Sequence, residues 1–167
     1  MPGLPSPLHP ALVHLPIALA TLLPLLAFLG ALAIARGWLP VRSWACLVLL
    51  HAILVGSAWA AEEVGHREHE KVEDVVPREA IHEHEERGEL VVVLSAATFL
   101  VTAAGLLGSR AGAVARGLTV LSGLALLVAV VRAGESGGEV AYRYGGASVY
   151  REKAAEATPG AEGAPAR

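Results

Sequence analysis

The residues best suited to chemistry are concentrated in one segment, EEVGHREHEKVEDVVPREAIHEHEERGE (Glu62–Glu89), called the acidic belt below. It holds four of the seven histidines and eleven of the sixteen acidic residues of the chain. Imidazole and carboxylate groups bind transition metals, and imidazole also exchanges protons near neutral pH. The acidic belt is therefore one candidate region for a metal site.

The two halves of the acidic belt repeat one pattern, Glu-x-x-His-x-x-x-Glu, which on a helix places all three side chains on one face. Two facing helices that each offer Glu-x-x-His are typical of carboxylate-bridged di-iron bundles, which also need a Glu from each of two other helices. The alternative is a solvated hairpin with i, i+4 ion pairs such as Glu83–Arg87. The repeated residues are Glu63, His66 and Glu70, then Glu79, His82 and Glu86.

Three further histidines, His9, His14 and His51, lie in or next to apolar segments. Ionisable residues inside membrane helices are costly and usually functional. The alternative is an imidazole hydrogen-bonded to a carbonyl of a neighbouring helix. His9 directly precedes Pro10 and can also simply cap its helix.

Imidazole is the usual axial ligand of haem b and a good ligand for Fe, Cu or Zn. We predict that His14 and His84 form the core of such a site, with His9 as support. His51 lies deeper, and Arg132 can neutralise haem propionates or pair with an acidic residue of the belt. The candidate cofactor ligands are His14, His84, His51 and Arg132; the candidate metal ligands are His9, His14, Glu63, His66, Glu79, His82 and His84.

The elements that must position these residues are predicted from composition. Hydrophobic residues make up 54% of the 167 residues, mean hydropathy is +0.52, and charged residues reach only 17%. A soluble core of this size cannot absorb so much apolar surface, so the bilayer is the expected solvent. We predict an all-α, four-helix transmembrane bundle with the acidic belt as a helical hairpin between helices 2 and 3. The four passes are Pro10–Ala35, Ser43–Ala61, Leu90–Gly108 and Gly117–Ala133.

Pro16 and Pro24 lie inside the first pass and predict a bend there. That pass has no Lys or Arg before it and is too long for a signal peptide, so we treat it as a mature helix. The lone Cys46 excludes an intrachain disulfide. No basic stripe exists, which argues against a nucleic-acid partner.

Four passes put both termini and the acidic belt on one side of the membrane. The short, acid-free, Arg-ended loops, residues 36–42 and 109–116, are typical of cytoplasmic loops, although the belt also carries four cations. We therefore expect the termini and the belt on the periplasmic side of a bacterial inner membrane. Residues 1–149 are predicted to form the membrane domain, and residues 150–167 a disordered tail.

Three stretches resemble the bacterial membrane-domain family catalogued as domain of unknown function 2231. They are HPALVHLPIALA (His9–Ala20), HEERGEL (His84–Leu90) and GGEVAYRYGGASV (Gly137–Val149). The resemblance implies a four-pass inner-membrane protein, similar in architecture to small helical cytochrome b bundles, with some members joined to c-type cytochrome domains. It therefore implies a site at the outer face, a link to redox chemistry and a possible c-type cytochrome partner.

Within the resemblance, the histidines of the family fall on His9, His14 and His84. Its glycine-rich pattern falls on Gly137, Gly138, Val140, Tyr142 and Gly145, where the paired glycines permit a tight backbone turn. The chain differs in Leu15, where phenylalanine is common, and in its extra belt histidines.

Our functional hypothesis is a membrane protein that holds haem b or a transition metal (Fe or Cu) through histidines near its outer face, as an electron-transfer or metal-handling subunit. Catalysis of a reaction is less expected, and no catalytic residue is assigned. The alternatives are an accessory membrane subunit without a cofactor and a di-iron carboxylate protein built on the Glu62–Glu89 hairpin. The bilayer is the expected surrounding in each case.

Overall fold

The computed structural model describes residues 8–69 and 72–150, and every regular element in these ranges is helical. The helices are α1 (His9–Leu12), α2 (His14–Ala35), α3 (Ala45–His69), α4 (Arg78–Ala104) and α5 (Arg110–Gly138). A turn of 3-10 helix (Val41–Trp44) precedes α3, and a π-helical turn (Glu139–Arg143) follows α5. The prediction of an all-α four-pass bundle is confirmed.

Four stretches are long and apolar enough to cross a membrane: His9–Ala35, Val41–Glu68, Arg78–Ala104 and Arg110–Arg143. The shortest has 27 residues, more than the roughly 20 that cross the hydrocarbon core. The chain is an integral membrane protein, and its outward-facing leucines and valines contact lipid.

The first pass divides at Val13 into α1 and α2. Pro16 lies four residues after Leu12 and has no N–H to donate to the Leu12 carbonyl, which accounts for the break at this position. Pro24 stays inside α2, buried against α5, where a Cβ added to Gly123 would lie 3.2 Å from Pro24 Cγ.

The four long helices form a ring in which each packs on two neighbours, in the order α2, α3, α4, α5 and back to α2. Leu23, Leu54 and Leu126 are almost completely buried inside this ring. Trp44 closes the end opposite the acidic belt, where its Nε1 donates to the Thr102 carbonyl at 2.9 Å. The core thus joins α2, α3 and α5 through these leucines and α4 through Val91, and Trp44 adds a hydrogen bond to α4 at one end.

At the other end α3 continues to His69, beyond the hydrophobic stretch, and α4 begins at Arg78 directly after Pro77. The acidic belt is thus a helical hairpin, as predicted, with a turn at residues 72–76. Helix α5 begins at Arg110, earlier than the predicted Gly117, and its Arg116 is buried and donates to the Gly105 carbonyl at 2.6 Å. The predicted tail, apart from Tyr150, lies outside the described residues.

Candidate functional site

Two histidines meet at the belt end of the bundle, His9 at the start of α1 and His84 in the second turn of α4. Their ring centroids are 5.9 Å apart, and the ring planes make an angle of 84°. They are separated by most of the first half of the chain, and the fold alone brings them together.

The His9 ring is fixed against α3. Its Nδ1 lies 2.8 Å from the Ala61 carbonyl oxygen, and a carbonyl can only accept, so Nδ1 carries the proton and donates. The ring lies directly on the backbone at Gly65, where an added Cβ would be 3.0 Å from Nδ1. A side chain at this position would require the imidazole to shift by a few tenths of an ångström.

The His84 ring is fixed against α5 in the same manner. Its Nδ1 lies 3.1 Å from Ser136 Oγ, and that hydroxyl donates its own proton to the Ala133 carbonyl at 3.0 Å. Ser136 must therefore accept from His84 Nδ1–H. A Cβ on Gly137 would lie 2.9 Å from His84 Cε1, so this glycine too provides the space for a ring.

The role of the paired glycines differs from the prediction. Gly137 and Gly138 do not make a tight turn: they are the last two residues of α5, and Gly138 has ordinary helical angles. The turn comes later, at Gly145, whose φ of +79° lies in the left-handed region that favours glycine. Gly137 is needed for its missing side chain rather than for its backbone freedom.

Both rings therefore carry the proton on Nδ1 and the lone pair on Nε2. In each ring it is therefore Nε2 that can act as a metal ligand. A metal-binding histidine characteristically donates its other N–H to a carbonyl or a polar side chain, which fixes the tautomer and the ring orientation. The rings of His9 and His84 are oriented in this way, His9 by the Ala61 carbonyl on α3 and His84 by Ser136 on α5.

The two rings line a cavity of about 620 Å³ that is bounded by all four passes and by the segment after α5. Its inner wall is apolar and includes Pro16, Ala58, Val91 and Val130. A cavity of this size is within the usual range for small-molecule and cofactor sites, about 300–1,000 Å³.

A second group of ligand atoms lies beside the histidine pair. Atoms of Glu62, His66 and Glu89 that could bind a metal are all within 4.8 Å of one another. His66 Nε2 is 3.2 Å from Glu62 Oε1 and 3.9 Å from Glu85 Oε1. Glu62, His66 and Glu85 also line the cavity, so its outer rim is acidic.

Leu8 and Tyr150, which flank the site, are both tied to α3 through Glu68. Its Oε1 accepts from the Leu8 backbone N–H at 3.0 Å, just before His9. Tyr150 also hydrogen-bonds to Glu68, and burial together with the Glu68 carboxylate raises the pKa of this phenol above its ordinary value. The phenol therefore stays neutral, donates to Glu68, and holds the end of the described chain over the cavity.

The other predicted cofactor ligands lie elsewhere. His14 is exposed on the first turn of α2, 3.4 Å from the Ala11 carbonyl oxygen, and it does not line the cavity. His51 is buried in the bundle, where its Nδ1 donates to the Leu47 carbonyl of its own helix at 2.8 Å. Arg132 is exposed beside Glu135 and is also outside the cavity lining.

The Glu-x-x-His pairs of the belt do not meet as pairs. Glu63 is bound by Arg67 at 2.8 Å, and His82 faces Glu86 on the solvent side with 73% of its side chain exposed. Glu79 is exposed as well. Of the predicted metal ligands, the structure brings His9, His84 and His66 to one cavity, and places Glu63, Glu79, His82 and His14 outside its lining.

Sequence reasoning did not identify Ser136, Gly65, Glu62, Glu85 or Glu89 as parts of this region. Ser136 and Gly137 stand in GESGGE, where small residues after an apolar helix are a signal of close approach by another group. The glutamates carry no such signal, because they are indistinguishable in sequence from the other acids of the belt.

Comparison with known proteins gives one match. A family model described as DUF2231, predicted membrane protein, matches residues 5–149. No curated protein and no solved structure matches the chain. The matched range contains the whole of the cavity lining except Tyr150.

Proposed function

The chain belongs to the DUF2231 family of predicted membrane proteins, and from this premise we propose that it binds one transition-metal ion through His9 and His84. The site would serve electron transfer or metal handling at one surface of the membrane. The observation that carries the proposal is the convergence of two imidazoles that are both fixed through Nδ1 and both left with a lone pair on Nε2.

The separation of the rings supports this proposal. A metal-bound imidazole nitrogen lies about 2.0–2.1 Å from the ion and about 1.1 Å from its own ring centre, so two imidazoles on one ion have centres about 5–6 Å apart. The observed 5.9 Å between His9 and His84 falls in that range. Glu62 and Glu85 line the same cavity and could add oxygen ligands.

The donor set favours a borderline metal. Neutral imidazole suits Zn²⁺, Cu²⁺, Fe²⁺ and Ni²⁺, and carboxylate completes such sites, whereas Cu⁺ prefers sulfur ligands. Cys46 is in the first turn of α3, at the opposite end of the bundle, and it does not line the cavity. We therefore propose a divalent ion held by nitrogen and oxygen.

Haem b is the second candidate, favoured by the volume and apolar inner wall of the cavity. The acidic rim argues against it, because haem propionates are stabilised by cations. Among the described lining residues there is no Lys or Arg, and Arg132 lies outside. A single ion is therefore the better fit.

The proposal is tested by the metal content and absorption spectrum of the protein purified in detergent without chelators. We expect about one equivalent of a first-row transition metal per chain and no Soret band. A Soret band would favour haem b instead. A metal-free, featureless protein that takes up neither Zn²⁺ nor Cu²⁺ would contradict the proposal and favour a structural accessory subunit.

We also propose that the site faces the periplasm of a bacterial inner membrane. The support is the pair Arg110 and Arg116 at the start of α5, since Arg next to a short connection is typical of the cytoplasmic side. Reporter fusions truncated after Gly108 and after Val149 should report opposite sides, with Gly108 cytoplasmic. Activity of a periplasm-only reporter at Gly108 would reverse the orientation and place the site in the cytoplasm.

A further inference from the structure

The end of the bundle opposite the acidic belt carries positive charge that no described acidic residue balances. Residues 1–61 and 90–134 contain no Asp or Glu. The nearest acidic residue along α5 is Glu135, which at a rise of 1.5 Å per residue is about 28 Å from Arg116. The cations at this end lie in the two connections and in the first two turns of α5; they are Arg36, Arg42, Arg110 and Arg116.

Arg116 is the most informative of these cations, because it is only 8% exposed. Its Nη1 donates to the Gly105 carbonyl at 2.6 Å, at the end of α4. A guanidinium has five N–H donors and a full positive charge, so one carbonyl uses only part of its binding capacity. No buried side-chain nitrogen in the described chain lacks a hydrogen-bond partner, so the other donors of Arg116 reach the surface of the bundle. Because a buried cation without a counter-ion is costly, the fold favours an anion supplied from outside the chain.

The start of α5 lies at the same end and also favours an anion. This helix has 29 residues, its N-cap Ser109 makes no side-chain hydrogen bond to the first turn, and that turn contains no acidic residue. The first backbone N–H groups and the positive end of the helix dipole therefore have no partner from a capping side chain. Phosphate groups commonly bind at such helix starts. The buried guanidinium and the uncapped helix thus indicate the same ligand chemistry.

The apolar residues around this end indicate where the phosphate comes from. Leu106 and Leu107, which directly follow Gly105, are 39% and 54% exposed, and Trp38 in the other connection is 69% exposed. All four membrane-spanning stretches have one end here, and exposed Trp is typical of the membrane–water interface. A ligand with a phosphate and acyl chains matches both the cations and these apolar side chains, whereas a soluble anion matches the cations alone.

We propose that this end of the bundle binds the headgroup of an anionic phospholipid. The phosphate accepts hydrogen bonds from the Arg116 guanidinium, the exposed Arg42 and Arg110 add positive charge around it, and the acyl chains lie beside the exposed leucines. Several cations without a nearby acid favour a lipid with a net negative charge over a zwitterionic one. The inference goes beyond the metal site, which is at the opposite end of the helices, and does not depend on it.

The test uses the delipidated chain in detergent, with dioleoylphosphatidylglycerol as the probe and dioleoylphosphatidylcholine as the comparison lipid. Native mass spectrometry gives the affinity for each lipid. We expect the anionic lipid to bind at least about tenfold more tightly, because the choline group would bring another positive charge to a surface without acids. Inorganic phosphate at the same concentration should not displace the lipid. Equal affinities for the two lipids, or displacement by phosphate, would overturn the inference.

A matched pair of variants locates the site on the parent fold. Arg116 and Arg132 are both in α5, but Arg132 is exposed at the belt end. Arg116→Gln should reduce the preference for the anionic lipid to within about twofold, and Arg132→Gln should leave it unchanged. A full preference in Arg116→Gln, or its loss in Arg132→Gln, would show that the lipid binds elsewhere and would refute the assignment.

A second variant covers the case in which Arg116→Gln does not fold. Arg42 and Arg110 are exposed, so replacing both by glutamine in one chain leaves the interior of the bundle unchanged. This double variant should bind the anionic lipid at least about threefold more weakly and the zwitterionic lipid as the parent does. Unchanged binding of the anionic lipid in the double variant would contradict the proposal.

Discussion

Replacing His84 by alanine is expected to lower the Zn²⁺ affinity of the purified chain by at least about 100-fold, because it removes one of only two proposed nitrogen ligands. His9→Ala should have an effect of the same size. Since the two ligands act as one unit, the double variant should lose little beyond either single change. The measurement is competition with a chromophoric chelator at constant pH.

The control for this prediction is His82→Ala. His82 is two residues from His84 on the same helix, but it is 73% exposed and pairs with Glu86. Its removal should leave Zn²⁺ affinity unchanged. If His84→Ala binds as tightly as the parent while His14→Ala or His82→Ala does not, the site uses another histidine and the assignment of His9 and His84 is wrong.

The second large effect is expected from a single methyl group at Gly137. An added Cβ there would lie 2.9 Å from His84 Cε1, so the ring must move and its bond to Ser136 must lengthen. Changes to groups that orient metal ligands typically cost 10–100-fold in affinity. Gly137→Ala should therefore weaken Zn²⁺ binding by about that factor, measured by the same competition assay.

The adjacent Gly138 provides the matched control. A Cβ at Gly138 meets nothing within 4 Å, so Gly138→Ala should leave the affinity as it is. Both changes replace glycine by alanine in α5 and should affect helix stability alike, by about 0.5–1 kcal/mol in favour of folding. Equal affinities for Gly137→Ala and Gly138→Ala would show that the position of the His84 ring does not matter for binding.

The fold could be predicted from the sequence because the bilayer constrains it strongly. A pass requires a long apolar helix, and four such segments separated by charged or glycine-rich connections are visible directly. Helix α4 begins directly after Pro77, a residue type that often stands at a helix start. The start of α5 at Arg110 was not predicted, because Arg110 and Arg116 are charged and were assigned to a loop. In the fold Arg116 is buried and bonds to the Gly105 carbonyl at the end of α4.

The candidate site was only partly predictable. His84 and His9 were both named, but His14 was expected to be the main partner of His84, since it stands deeper in the apolar run. The break of the first pass at Val13 sets the directions in which the side chains of His9 and His14 point. The break arises because Pro16 has no N–H to donate to the carbonyl of Leu12, four residues earlier. Which imidazole faces inward is therefore a tertiary property rather than a matter of depth.

The supporting groups could not be derived from sequence at all. Ala61 supplies a backbone carbonyl, and Gly65 supplies space; neither function has a residue-type signature. The choice of Glu62 and Glu85 among eleven belt acids depends on the rotation of α3 and α4 about their axes. Such rotations are set by the packing of each helix on its two neighbours in the ring, which no local sequence pattern reports.

The central claim is that two imidazoles share one ion at the belt end of the bundle. X-ray absorption at the zinc K-edge, on the chain loaded with one equivalent of Zn²⁺, tests it most directly, because imidazole rings give characteristic multiple scattering. We predict nitrogen or oxygen neighbours at about 2.0–2.1 Å with two imidazoles in the parent, and one or none in His9→Ala and His84→Ala. A zinc coordination shell without imidazole in the parent would contradict the account. So would a shell in both variants that is the same as in the parent.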